Sequence, residues 1–338
     1  MKKAFWLKIC IVSIIGLMTS PALGVVLKIA TLSPEGSEWM QKMREGAKEI
    51  ALKTDNRVKF KFYPGGIMGS EKAVLRKIRV GQLHGGAITA GSLAHIYPEL
   101  RLYFLPMIFK SFEEVDYVRK QMDPLLISGL EQKGFVTFGL AEGGFAYVMS
   151  RAPVRNTDDL RNQKVWMPDS DITILEVMEA FDIKPISLPI ADVRTSLQTG
   201  LIDAVTVSPI GAIVLQWHTR LKYLTDMPLA YVYGMLAVDR KVFEQITPDD
   251  QKIVRDIMGG VFRGIDQKNR KDNVEALKVL RKHGIQFVKL DSVTKNQWHE
   301  VASAVSQRLI QAGKVSRNMV NTLHNHLRNH RSQIAKNR

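Results

Sequence analysis

The chain has 338 residues, 45% of them hydrophobic, with a single cysteine and a formal net charge of +15. That length gives room for two domains of ordinary size, and one cysteine excludes a disulfide framework and paired-thiol chemistry. The basic balance invites a nucleic-acid reading, but the charge is badly distributed for it: no acidic residue follows Glu300, so Arg308, Lys314, Arg317, Arg328, Arg331, Lys336 and Arg338 gather in the last segment without an aromatic-rich face. That tail reads as a solvated basic helix, with docking to an acidic membrane or partner as the alternative.

Residues 1–24 read as a cleavable export signal: Lys2 and Lys3 precede the apolar run 9–17, and Ala22-Leu23-Gly24 predicts cleavage after Gly24. A retained anchor would need about 20 apolar residues, more than this run supplies. Cys10 lies inside the signal, at the wrong end of the apolar core for lipidation, so the mature chain has no cysteine.

From residue 26 onward, β-branched runs alternate with amphipathic helical patterns, the mark of an α/β fold. Strands are expected at 26–31, 58–63 and 86–89, with helices at 37–53 (Trp39, Met43, Ala47 and Ile50 on one stripe) and 71–80 between them. Residues 135–142 and 146–150 are extended. A second cycle runs strand 164–167, helix 170–181, strand 184–188, helix 191–199 and strand 204–207, and another strand follows at 234–238. Then comes a long helix. Thr247 serves as its N-cap, Pro248 as N1, Asp249 and Asp250 complement the dipole, and Gly284 terminates it. About 36 residues give ~54 Å, enough to lie across two domains. Gly259, Gly260 and Gly264 inside it are read as sites of close packing, with a bend point for domain closure as the alternative.

Enzyme motifs are absent. Gly65-Gly66-Ile67-Met68-Gly69 lacks the Lys-Ser/Thr of a phosphate loop, and no Gly-x-Ser-x-Gly elbow occurs. His324, His326 and His330 form the one metal-like pattern, but no Asp, Glu or Cys lies nearby to complete a site.

Four segments in order carry a family resemblance: 63–71 (YPGGIMGSE) with 80–83, 97–111 around Tyr97-Pro98-Glu99 and Phe104-Leu105-Pro106, 158–168, and 197–204 (LQTGLIDA) with 222–225. On these the chain resembles the substrate-binding proteins of tripartite ATP-independent periplasmic (TRAP) transporters, of the DctP-like type. The resemblance implies two α/β domains of periplasmic-binding-protein type, a cleft between them and a long helix spanning both. The domains are expected at 25–143 plus 231–265 and at 144–230 plus 266–338. It implies a periplasmic solute receptor serving TRAP membrane permease subunits, with no catalysis, cofactor, metal or nucleic acid, and membrane contact only through the permease.

The resemblance breaks at the ligand clamp. Relatives hold a carboxylate with two arginines and an asparagine; here those positions fall on Trp166, on Ala146 beside Phe145, and in the segment with Val207 and Ser208. Ile190 stands where an aromatic is frequent. An unpaired carboxylate buried among such residues costs several kcal/mol, so the expectation is an apolar, aromatic or otherwise unclamped ligand. Trp166 could also be a core residue. The expected contacts are Trp166, Phe145, Thr89, Ser92, Ile190, Val207, Ser208, Trp217 and Tyr233. Arg194 joins them as a relocated cation in the alternative of an organic-acid receptor. A further alternative is a periplasmic sensor or scaffold without transport.

Overall fold

The structure, a computed structural model, describes residues 24–169 and 172–336. The expected signal segment lies almost wholly outside the described residues. In chain order the strands and helices begin β1 (Val25–Ala30), α1 (Glu38–Lys53), β2 (Val58–Tyr63), α2 (Glu71–Arg79), β3 (Gly85–Thr89), α3 (Ala90–Leu93), α4 (Phe112–Gln132), β4 (Phe135–Val136) and β5 (Leu140–Ser150). They continue with α5 (Thr157–Arg161), β6 (Trp166–Pro168), α6 (Ile172–Ala180), β7 (Ile186–Leu188), α7 (Val193–Thr199), β8 (Ala204–Val207), α8 (Pro209–Val214) and β9 (Tyr223–Thr225). The chain closes with β10 (Ala230–Asp239), α9 (Arg240–Phe243), α10 (Pro248–Lys282), β11 (Gln286–Val288), α11 (Ser292–Gln311) and α12 (Arg317–Lys336).

The helical crossovers α1 and α2 return the chain in the same direction, so β1 pairs in parallel with both β2 and β3. β10 comes back antiparallel to β3 and to the first half of β5. The second half of β5 leaves that pairing and takes β8 and β9 as antiparallel neighbours. One strand therefore belongs to two units of the fold, where the sequence suggests two separate pieces. The interruption is Gly143-Gly144, where the register with β10 shifts between Val232 and Tyr233. Gly144 is required there, because its φ is +92° and a Cβ would lie 2.5 Å from the Asn273 side chain.

The long helix is present as α10, capped as the sequence predicts: the Thr247 side chain accepts from the Asp250 N–H, and Gly284 follows in the left-handed conformation. Its Val254, Met258, Phe262 and Ile265 pack in the core against α1, β1 and β2, and its Leu280 packs in the core of the second unit. Of the three glycines only Gly259 is buried against a neighbouring segment, a Cβ built on it lying 3.7 Å from the Phe138 carbonyl oxygen; Gly260 and Gly264 do not mark close packing, which corrects that expectation for them. Nothing lies within 4 Å of a Cβ built on Gly264, and for Gly260 the nearest atom is Arg263 Nη2 at 3.9 Å. The tight approach is made from the other side, where a Cβ on Gly46 of α1 would sit 2.8 Å from Val261 Cγ2.

Within 266–338, expected in the second unit, α12 packs on the first. Val320, Leu323 and Leu327 form an apolar stripe at helical spacing on α12, and it is buried in the first unit's core with Val115, Val118 and Met122 of α4. Arg331 fixes the end of α12 by a two-pronged pair with the Glu114 carboxylate at 2.7 and 2.9 Å.

Candidate functional site

β1, β2 and β3 run parallel and end on the same side, and such carboxyl ends are where open α/β sheets place ligands. The segments that follow them, Thr31-Leu32 and the turn with Gly66, Met68 and Gly69, enclose a crevice together with Glu71, Val74, Ala87 and Ile88. Its volume is about 10 Å³, the space of one water molecule.

Glu71 is the chemical centre of this crevice. Ser70 caps α2 and accepts from the Ala73 N–H, which sets Glu71 in the first turn facing β3. Its carboxylate accepts from the Thr89 N–H at 2.8 Å and the Thr89 hydroxyl at 2.7 Å, and also from the Ser92 hydroxyl. Burial pushes the Glu71 carboxyl above its ordinary range; those three donors pull it down, and Asp169, beyond β6 in the second unit, pushes it up again. A buried titratable group displaced from its usual range beside a crevice is a functional-site signature.

The expected contact residues do not converge on one place. Thr89 and Ser92 surround Glu71. Trp166, Ile190, Val207 and Trp217 lie together in the apolar core of the second unit. Trp166 is 5% exposed; its indole N–H donates to the Leu188 carbonyl at 2.9 Å, and its ring meets Trp217 edge-on at 5.2 Å. Phe145 and Tyr233 belong to the first unit's aromatic core, where Phe145 packs against Phe112 at 4.8 Å and the Tyr233 hydroxyl donates to the Leu100 carbonyl. Ser208 caps α8 by accepting from the Gly211 N–H. Arg194 is exposed on α7 and makes no hydrogen bond or ion pair among the described residues.

No guanidinium replaces the missing clamp at the crevice, whose lining contains no Lys or Arg. Buried Arg119 and half-buried Arg270 are committed to ion pairs around α4 and α10 instead. Arg119 pairs with Asp123 at 3.0 Å and Asp266 at 2.8 Å, and Arg270 with Glu142 at 2.6 Å and Asp116 at 2.7 Å. Among the described residues no group of three or more His, Cys, Asp or Glu is placed to hold a metal ion, and no helix is long and apolar enough to cross a membrane.

Glu71, Asp169 and Thr31 are not among the residues the sequence singles out. Glu71 stands in one of the family segments, but an acidic residue in a first helical turn reads as a dipole partner. Its burial is decided by β3, which no local pattern reveals.

The crevice lies in the first unit, at the carboxyl ends of β1, β2 and β3, where an open α/β sheet takes a ligand. The chain belongs to the DctP family, bacterial extracellular solute-binding protein family 7, whose model matches residues 29–312. The uncharacterized protein YiiZ of Salmonella typhimurium is 26% identical over 211 residues, 61% of this chain and 64% of that relative. Among solved structures, a TRAP periplasmic solute-binding protein from Desulfovibrio salexigens with bound orotic acid has a TM-score of 0.80 at 18% identity, covering 90% of this chain and 99% of that one. A sugar acid binding protein from Advenella mimigardefordensis in complex with galactonate has a TM-score of 0.82 at 18% identity, covering 90% and 98%. Both of these proteins hold organic acids. That contradicts the expectation of a hydrophobic ligand, and the burial of Trp166 in a core takes its indole away as a stacking surface for one.

Proposed function

We propose that the chain is a periplasmic receptor that captures a small polyhydroxylated solute at the Glu71 crevice and delivers it to a TRAP membrane permease. Family membership supports the receptor role, and the buried Glu71 carboxylate, held by Thr89 and Ser92, carries the ligand class. The Glu71 carboxylate and the Thr89 and Ser92 hydroxyls beside it can accept hydrogen bonds, so the solute presents hydroxyl donors to them. Galactonate, held by one structural relative, is rich in such donors. Any acid group on the solute is met by polar backbone and hydroxyl groups, since the clamp position is Trp166. The crevice is too small for an organic molecule, so binding requires its walls to move apart and close again. The export signal read from residues 1–24 of the sequence supports a receptor outside the cytoplasm.

Isothermal titration of unfolded-and-refolded, ligand-stripped protein tests this with galactonate, gulonate, sorbitol and benzoate. Polyhydroxylated members are expected to bind. Glu71→Ala removes at least one hydrogen bond to a charged acceptor, about 1.5–3 kcal/mol, so affinity falls about 10- to 100-fold. Binding confined to benzoate, or equal affinity in Glu71→Ala, would refute the assignment.

A further inference from the structure

We propose that the free edge of β2 is a docking edge for an extended, acidic segment of a partner polypeptide. Among the described residues β2 pairs with β1 alone and ends the sheet order. Its outer side therefore offers backbone donors and acceptors to an incoming strand.

Beside that edge runs an open groove of about 280 Å³ between α1 and β2. Ala47 and Ala51 leave the gap on the helix, and Phe60 and Phe62 form the opposite wall, their rings stacked at 5.8 Å and 17°. An added strand would send alternate side chains into this gap, next to the two rings, and the other set toward the opposite face of the sheet.

The charges choose the partner. Lys48 and Lys59 border the groove, and Lys61 lies on the same strand two residues on; none of the three makes an ion pair among the described residues. Arg44, by contrast, is already taken up by Glu35 at 2.6 Å. Lysine on an edge strand commonly guards against pairing. Here the guard is selective: two copies of β2 side by side would set lysines against one another, whereas a strand carrying Glu or Asp would neutralise them. The occupant is thus a foreign acidic segment rather than a second copy of this chain. This surface is separate from the Glu71 crevice and does not depend on which solute binds there.

The test uses the full mature protein and two fluorescein-labelled probes, a short peptide of alternating Glu and Val and its Lys and Val counterpart. Fluorescence anisotropy at low salt should show binding of the Glu peptide only, weakened by added salt. The double change Lys59→Glu and Lys61→Glu should reverse the preference. Ala51→Phe, which fills the groove and leaves the lysines in place, should weaken the Glu peptide about tenfold, with circular dichroism confirming the fold. Hydrogen exchange should show new protection at residues 58–63. No binding of the Glu peptide, binding indifferent to both variants, or protection elsewhere but not at 58–63 would each overturn the proposal.

Discussion

Replacing Trp166 separates two roles that the same residue could fill. As a core residue, it gives up three things on truncation. Loss of a nearly buried tryptophan to alanine costs about 3–5 kcal/mol in transfer and cavity terms, and its edge-on contact with Trp217 adds about 0.5–1.5 kcal/mol. The Leu188 carbonyl loses its indole donor, a further penalty of about 1 kcal/mol. These overlap, so Trp166→Ala should destabilise by about 4–6 kcal/mol. Trp166→Phe keeps a ring and loses the hydrogen bond, for about 1–2 kcal/mol. Urea unfolding followed by circular dichroism measures both, and a double-mutant cycle with Trp217→Phe isolates the ring pair. A stability change under about 0.5 kcal/mol in Trp166→Ala, accompanied by loss of solute binding, would refute the core role and return the indole to the ligand site.

Two further outcomes follow from geometry. Gly264→Ala, at an exposed helical position with nothing within 4 Å of the new methyl, should stabilise by about 1 kcal/mol, whereas Gly46→Ala should destabilise by about 1–3 kcal/mol through its clash with Val261; thermal melts read both, and Val261→Ala should rescue the second. Arg57 holds Asp250 by two hydrogen bonds at 2.8 and 2.9 Å and, as the leading cause, pulls its carboxyl below the ordinary range. A depressed carboxyl stabilises the fold above its unfolded pKa of about 3.9 and loses that contribution as pH falls through the lower folded value. Asp250→Asn should therefore melt lower than the parent at pH 7, and the gap should close in acid; a gap that widens in acid would contradict the pairing.

The parts of the fold legible in the sequence are those with local causes. Thr247, Pro248 and Gly284 fix the ends of α10 by capping chemistry alone, and the βαβ order follows from periodicity. α4 is masked in the sequence for an equally local reason. Pro124 stands in its interior, and proline usually breaks a helix. The helix survives because Val115, Val118, Met122, Leu126 and Leu130 are all buried along it. The candidate site was legible only in part. Trp166 invites a ligand role because of the position it occupies, but its partners, Leu188 and Trp217, are brought to it by folding from 22 and 51 positions away. Thr89 and Ser92 were visible as polar residues after a short strand; the carboxylate that binds them comes from a helix start 18 positions earlier.

The passage of β5 between the two units has a consequence for how the chain is made. Ala146 pairs with Ala230, so about 80 residues of the second unit are an excursion between two adjacent strands of one sheet. Closing a flexible loop of that length costs about 4 kcal/mol of chain entropy beyond a constant term. Prior compaction of the excursion shortens the distance its ends must travel. During synthesis, β3 has no antiparallel neighbour until residues 234–238 have emerged. The N-terminal strands therefore wait, with one sheet edge open, for the whole of the second unit to be translated.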